Sequence, residues 1–301
     1  MHRAVLEERR TLGHPVPLGV SLSALGRTYL MLGRYPEALG TYRQASEIFE
    51  RLEDLEESSY ALLGVGRCLS RLGDITGAAQ PLRKALQLRE RSPNAVAISI
   101  ARLAVAENHL QLKQLETALQ EARKALFDLQ LLPGRSAVIA DAQQLIGRIL
   151  LELRRHAEAA RAFGEAAAEH RRLGALEAAV LDLTWWLEGA LGQQDDAEVA
   201  RLLREVEELL SRSETLGQRE VVEFRLFRAY RRLARAPEDQ RQILRHLRQA
   251  YHELLRKASF LDQEKRHSFL YRVPEHEAIV AAASEHGISL PELPVTPVSG
   301  L

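Results

Sequence analysis

Arg67 and Arg71 lie one helical turn apart, close enough for like charges to repel by a few tenths of a kcal/mol. The pair does nothing for its own helix, which points to an anionic group supplied from elsewhere. A carboxylate or phosphate suits arginine's forked donors. Trp185 and Trp186 are the only tryptophans. An exposed indole beside arginines makes a binding anchor, and packing between helices is the competing role for both.

Catalytic patterns are scarce. The sequence contains no GxxxxGK[ST] phosphate loop, no HExxH helix and no CxxC pair. Gly64-Val65-Gly66 falls inside a helical pattern rather than after a strand, so helix packing explains its small residues. Cys68, the single cysteine, has no neighbouring base or orienting acid and reads as a buried small residue. His267, His276 and His286 have no metal-helix spacing. The expectation is a chain that is not an enzyme and takes no cofactor or metal.

The elements that position these residues follow from a repeat. Leu22, Leu25, Gly26 and Tyr29 occupy one face of a helix, and Ala38, Tyr42 and Ala45 one face of a second. Gly33 ends the first helix and Pro36 opens the second. Gly26 recurs as Gly66, Ala106 and Gly147, at steps of 40, 40 and 41 residues. The second helix keeps Ala38, Ala78, Ala118 and Ala159, then Ala45, Ala85, Ala125 and Ala166. Between them stand Tyr42, Leu82 and Phe163, with Ala122 as the exception. Small residues at the crossing let two helices approach, and each hairpin needs neighbours to bury its apolar face.

The order large, Leu-Gly, Tyr, Ala, aromatic, Ala at Leu22, Leu25-Gly26, Tyr29, Ala38, Tyr42 and Ala45 resembles the tetratricopeptide (TPR) repeat, although these copies exceed its usual 34 residues. The resemblance implies an all-α, right-handed α-α superhelix, a solenoid of about six helix-turn-helix units. It also implies a concave wall lined by first helices, with the residue after each small crossing position facing the groove: Arg27, Arg67, Glu107 and Arg148, with Arg71 one turn on. These arginines and the two tryptophans are the candidate groove residues. Charge balance by Glu107 and pairing of Arg148 with Glu152 is the alternative. Ser23 and Arg27 depart from the basic and asparagine clamp of chaperone-tail-binding members.

Residues 1–14 read as the last turns of a preceding second helix, so further units are expected upstream. The repeats occupy residues 15–257. Pro81 inside a second helix predicts a local irregularity. Copy five places Thr184 or Trp185 at its crossing site. Copy six runs from about Gly217 to Lys257 with Pro237 as a helix starter. Residues 258–287 form a cap in which Ile279, Val280 and Ala283 close the array, and residues 288–301 an extended tail. The stretch RHSFLYRVPEHEAIVAAASEHG resembles the terminal piece behind such repeats in bacterial STAND-type regulators, which implies a sensor arm attached to a nucleotide-driven switch.

The 41 basic and 41 acidic residues cancel, so no global attraction to nucleic acid or membrane follows. From Glu188 to Glu214 eight acidic residues face three basic ones, and from Arg219 to Lys257 eleven basic face five acidic. Arg225, Arg228, Arg232 and Arg235 share a helix face. Attraction between adjacent units explains them better than a nucleic-acid stripe. One cysteine and no long apolar run suggest a cytoplasmic home without membrane contact. The expected function is recognition of a protein, peptide or acidic ligand, as the sensor or interaction region of a bacterial regulator. A free-standing adaptor and, below it, a nucleic-acid-binding repeat are the alternatives.

Overall fold

The computed structural model describes residues 15–134, 136–212, 218–236 and 239–288. The expectations for residues 1–14, for Gly217 and Pro237 and for the tail beyond Ile288 lie outside them. Among the described residues there are fourteen helices and no strand. They divide into two compact units, one ending at Leu131 and the other beginning at Leu132.

Unit one holds α1 (Pro15–Met31), α2 (Tyr35–Arg51), α3 (Leu55–Arg71), α4 (Ile75–Arg89), α5 (Ala95–Gln111) and α6 (Leu115–Gln130). Each helix packs on the next, and α3 also touches α1 and α5. Local chemistry fixes the hairpins at both ends of the helices. Asp54, Asp74 and Asn94 accept hydrogen bonds from the first-turn N–H groups of α3, α4 and α5. At the other end the chain turns through one left-handed residue, at Gly33, Glu53, Gly73 and Lys113 in this unit. The next N–H then reaches back five residues, as from Arg34 to Tyr29 (2.8 Å) and Asp54 to Phe49 (3.0 Å).

Left-handed backbone costs a non-glycine residue about 1 kcal/mol. Glu53 sits there with φ +55° and an exposed side chain. Glu53→Gly is therefore expected to stabilise unit one by about that amount, read as a higher urea midpoint with an unchanged slope.

The core bears out the size rule. A side chain at Gly26 would lie 3.0 Å from the Tyr42 ring, and one at Gly66 2.4 Å from Leu82. Tyr42 also fills the space over Gly64 of α3. Where copy three has Ala106, its partner is Ala122, and both are fully buried. The eight repeated alanines from Ala38 to Ala166 are all at 0% exposure. Pro81 does not break its helix: α4 runs unbroken from Ile75 to Arg89. The carbonyl deprived of a donor belongs to Gly77, which is exposed, so water can satisfy it.

Unit two holds α7 (Ser136–Glu152), α8 (His156–Arg172), α9 (Leu176–Gln193), α10 (Asp196–Ser211), α11 (Arg219–Leu233), α12 (Asp239–Ala258), α13 (Gln263–Tyr271) and α14 (Pro274–Glu285). From α7 to α12 each helix again packs on the next, α9 touches both α7 and α11, and α14 lies on α11, α12 and α13. Phe163 of α8 lies where a Gly147 side chain would go. Thr184, not Trp185, takes the fully buried position of copy five. Val180, Leu183, Leu187, Leu202 and Leu226 form one apolar cluster around α9.

The sequence pattern did not show α13, whose residues lack a continuous apolar face. In α14 the buried residues are His276, Ile279, Ala282 and Ala283. Val280 is only half-buried, one position off the expected face. Gly287, with φ +63°, ends the helix, and Ile288 N–H returns to the Ala283 carbonyl at 2.9 Å.

Buried charge is concentrated in unit two. Lys257 donates to both oxygens of Glu220 at 2.7 Å, and both side chains are 3% exposed. His170 of α8 bonds Asp182 of α9 at 2.7 Å and faces Asp141 of α7 at 3.5 Å. Gln144 donates to the other Asp182 oxygen, so three helices meet on one carboxylate.

Among the described residues no helix is long and apolar enough to cross a membrane.

Candidate functional site

The 40-residue period stacks equivalent positions of successive first helices, and in unit two it brings three of them around one cleft. Arg148 comes from α7, Trp185 and Glu188 from α9, and Arg225 and Arg228 from α11. Arg154 and His156 contribute from the turn into α8, while Pro274, Glu275 and Ala278 of α14 close one side. The volume is about 420 Å³, in the range of ligand pockets.

Trp185 is the centre of the cleft. The Arg225 guanidinium carbon lies 3.5 Å from its ring centroid and that of Arg148 4.9 Å, contacts that contribute roughly 0.5 to 2 kcal/mol each. Arg225 is buried. Its Nη1 donates to Thr184 Oγ1 at 3.1 Å, and that hydroxyl donates to the Leu181 carbonyl at 2.9 Å. Its Nη2 is buried without a hydrogen-bond partner, a cost of about 1 to 3 kcal/mol. Burial, reinforced by the positive charges of Arg148 and Arg228, brings the Arg225 guanidinium down to about 10 against the pull of Glu188 and Glu275.

Glu275 behaves in the opposite way. Burial works against its charge, but its own backbone N–H, then Arg225 and Arg148, outweigh burial and hold the carboxyl below the usual glutamate range. The cleft thus has an indole with two arginines stacked on it and a carboxylate from α14 in its lining. Such a surface can recognise an anionic group attached to something apolar.

The candidate residues from the sequence separate. Arg148 and Trp185 come together in this cleft. Trp186 does not join them: it packs on the apolar cluster of α9, against Gly164, with Arg201 4.8 Å from its ring centroid. Arg27, Arg67 and Arg71 lie exposed on α1 and α3 of unit one. A smaller cavity of about 120 Å³ in that unit, between α4 and α5, includes none of them.

Arg225 was read as part of a solvated stripe and instead points inward. The rest of that stripe is compensated by the acidic segment before it. Arg228 pairs with Glu188, Arg232 with Asp196 at 2.7 Å and Arg235 with Asp196 at 3.7 Å. A signal for Arg225 was present in the period itself, since 185 and 225 are one repeat apart.

Glu188 shares that signal, one repeat from Arg148 and one from Arg228, whereas Glu275 and His156 carry none. Burial pushes the Cys68 thiol up to about 12, so it is an inert core residue. His276 bonds the Phe269 carbonyl, His286 lies on the Phe227 ring and His267 beside Tyr271; the three do not converge. Among the described residues no group of three or more ligating side chains could hold a metal ion.

Residues 18–91 match the family model for the tetratricopeptide repeat. No curated protein sequence matches the chain. Among solved structures, a Rap protein complexed with competence and sporulation factor is similar over 93% of this chain and 80% of its own, with TM-score 0.64 and 16% identity. The Rap conjugation gene regulator of plasmid pLS20, solved in complex with the Phr* peptide, covers 92% and 77% with TM-score 0.64 and 15% identity. Aspartyl phosphate phosphatase F from Bacillus subtilis covers 95% and 76% with TM-score 0.64 and 13% identity. At these identities the likeness concerns the fold: an all-α, TPR-like helical repeat.

Proposed function

We propose that the chain is a non-catalytic recognition scaffold, and that the cleft around Trp185 holds a peptide or protein segment bearing an acidic group. The observation that carries this reading is the stack of Arg225 and Arg148 on one indole at the centre of a cleft. A rigid aromatic anchor flanked by desolvated arginine is the composition of binding hot spots. Two similar structures hold competence and sporulation factor and the Phr* peptide, the second of which favours a peptide-sized occupant. Arg27, Arg67 and Arg71 of unit one are offered as further contacts for a partner. The resemblance of residues 266–287 to the terminal piece of STAND-type regulators supports a regulatory setting, a sensor or interaction region in a bacterial cytoplasm.

A peptide array probed with wild type, Trp185→Ala, Arg148→Glu and Arg67→Glu/Arg71→Glu tests this. Trp185→Ala and Arg148→Glu should each weaken the retained peptides by tenfold or more, with circular dichroism unchanged. Equal retention by wild type and both cleft variants would remove the proposed site.

A further inference from the structure

The cleft contains a carboxylate of the chain's own, together with one buried guanidinium nitrogen that lacks a hydrogen-bond partner. Arg225 is 3% exposed, and only one of its terminal nitrogens is held, by Thr184. Its Nη2 has no hydrogen-bond partner. Glu275 lines the same cleft from the second position of α14 and, unlike Arg225, remains half-exposed.

The helix behind Glu275 is fixed. Ile279, Ala282 and Ala283 bury its far face, and His276 Nδ1 is bonded to the Phe269 carbonyl at 2.8 Å. The Glu275 side chain can therefore turn outward by rotation about its own bonds while α14 stays in place. Resting on the recognition role given above to this cleft, we propose that Glu275 is a resident substitute for the ligand, which binds by exchanging its own carboxylate for that of Glu275 at Arg225 and Arg148.

The resident group is itself a carboxylate, so a carboxylate is its like-for-like replacement. Four arginines (148, 154, 225 and 228) and three glutamates (152, 188 and 275) line the cleft, leaving one positive charge with His156 neutral. With Glu275 turned outward the four arginines and two remaining glutamates leave two positive charges, and a ligand carboxylate returns the balance to its resting value of one. A phosphate of charge near −2 does not restore that balance, and it adds a second negative charge beside the two remaining glutamates. Arg225 and Arg148 attract the Glu275 carboxylate across the cleft that all three line, and a ligand carboxylate competes for the same two cations, so removing the Glu275 charge must help it.

The test uses the full chain carrying Trp186→Phe, so that Trp185 is the one fluorescent indole. Three panels of N-acetylated pentapeptides are titrated: one with C-terminal carboxylates, one amidated but containing a single Glu, and one amidated and lacking any carboxylate. Inorganic phosphate is the fourth probe. Glu275→Gln should tighten a carboxylate panel about tenfold. Arg148→Gln and Arg225→Lys should weaken the same panel, the latter because lysine keeps the charge but loses the fork.

Tightening in the first panel assigns a chain terminus and in the second an acidic side chain; either supports the exchange. Unchanged affinity in Glu275→Gln, equal binding of the carboxylate-free panel, or a larger gain for phosphate would overturn it. Failure of every panel on every background would instead overturn the recognition role of the cleft. Should Arg225→Lys not fold, Glu275→Gln and Arg148→Gln decide.

Discussion

Asp182→Ala is expected to destabilise unit two by about 3 to 5 kcal/mol, the cost of leaving a buried charge without its partner. Asp182 is fully buried and is the acceptor for both His170 Nδ1 and Gln144. Its removal leaves a histidine 3% exposed with only the exposed Asp141 carboxylate nearby. Trp185 and Trp186 both belong to this unit, so urea denaturation followed by tryptophan fluorescence reads it selectively. A loss below about 1 kcal/mol would show that the cluster is not a structural ion pair.

The same cluster sets a pH dependence. Burial alone would lower the His170 imidazole, but its bonds and proximity to Asp141 and Asp182 raise it to about 9. Burial also raises Asp182, against the pull of His170 and Gln144. A raised value means that the folded state binds the proton more tightly, so stability falls as pH rises. For His170 the contribution is complete below about 6.5, the unfolded value, and is lost as pH climbs to about 9. The Asp182 contribution is lost as pH rises above the ordinary aspartate value. Asp182→Asn should therefore flatten the decline between these limits, whereas Glu56→Gln, which removes the exposed carboxylate of an ion pair with buried Arg89 in unit one, should leave it intact.

The legible part of this fold is the part governed by size. Gly26, Gly66, Ala106 and Gly147 meet Tyr42, Leu82, Ala122 and Phe163 at a constant separation of 16 residues, which follows from a hairpin of fixed length and needs no long-range information. The position of Trp185 was ambiguous because Thr184 and Trp185 are adjacent, and only the packing of α9 decides which turns inward. Arg225 was misplaced for a related reason. Helical periodicity grouped it with Arg228 and Arg232, but arginine can bury its guanidinium against an indole, and polarity alone does not reveal that. The turns hid a second regularity. Left-handed residues fall at 33, 53 and 73, then 113, and at 134, 154, 174 and 194, about 20 apart. Glu53, Lys113, Arg154 and Gln194 conceal it from any search for glycine. Pro93 stands at the missing step, where its ring forbids positive φ.

Gly66→Ala and Leu82→Ala are each expected to destabilise unit one, and the double variant to lose less than their sum by about 1 kcal/mol or more. The alanine methyl at position 66 would lie 2.4 Å from both Cγ and Cδ2 of Leu82. Cγ is near the root of that side chain, so no rotation of its tip relieves the clash, and overpacking costs about 1 to 3 kcal/mol or somewhat more. The gain in helix propensity on replacing glycine, about 1 kcal/mol, offsets part of that cost. Leu82→Ala alone leaves a cavity and costs about 2 to 5 kcal/mol. Together the two substitutions recreate the alanine pair that copy three already uses at Ala106 and Ala122, where both residues are fully buried. The new methyl then occupies volume that leucine has vacated. Hydrogen exchange of the α3 and α4 amides measures each term within unit one, and strict additivity would mean that the repeated small residue does not set the spacing of its two helices.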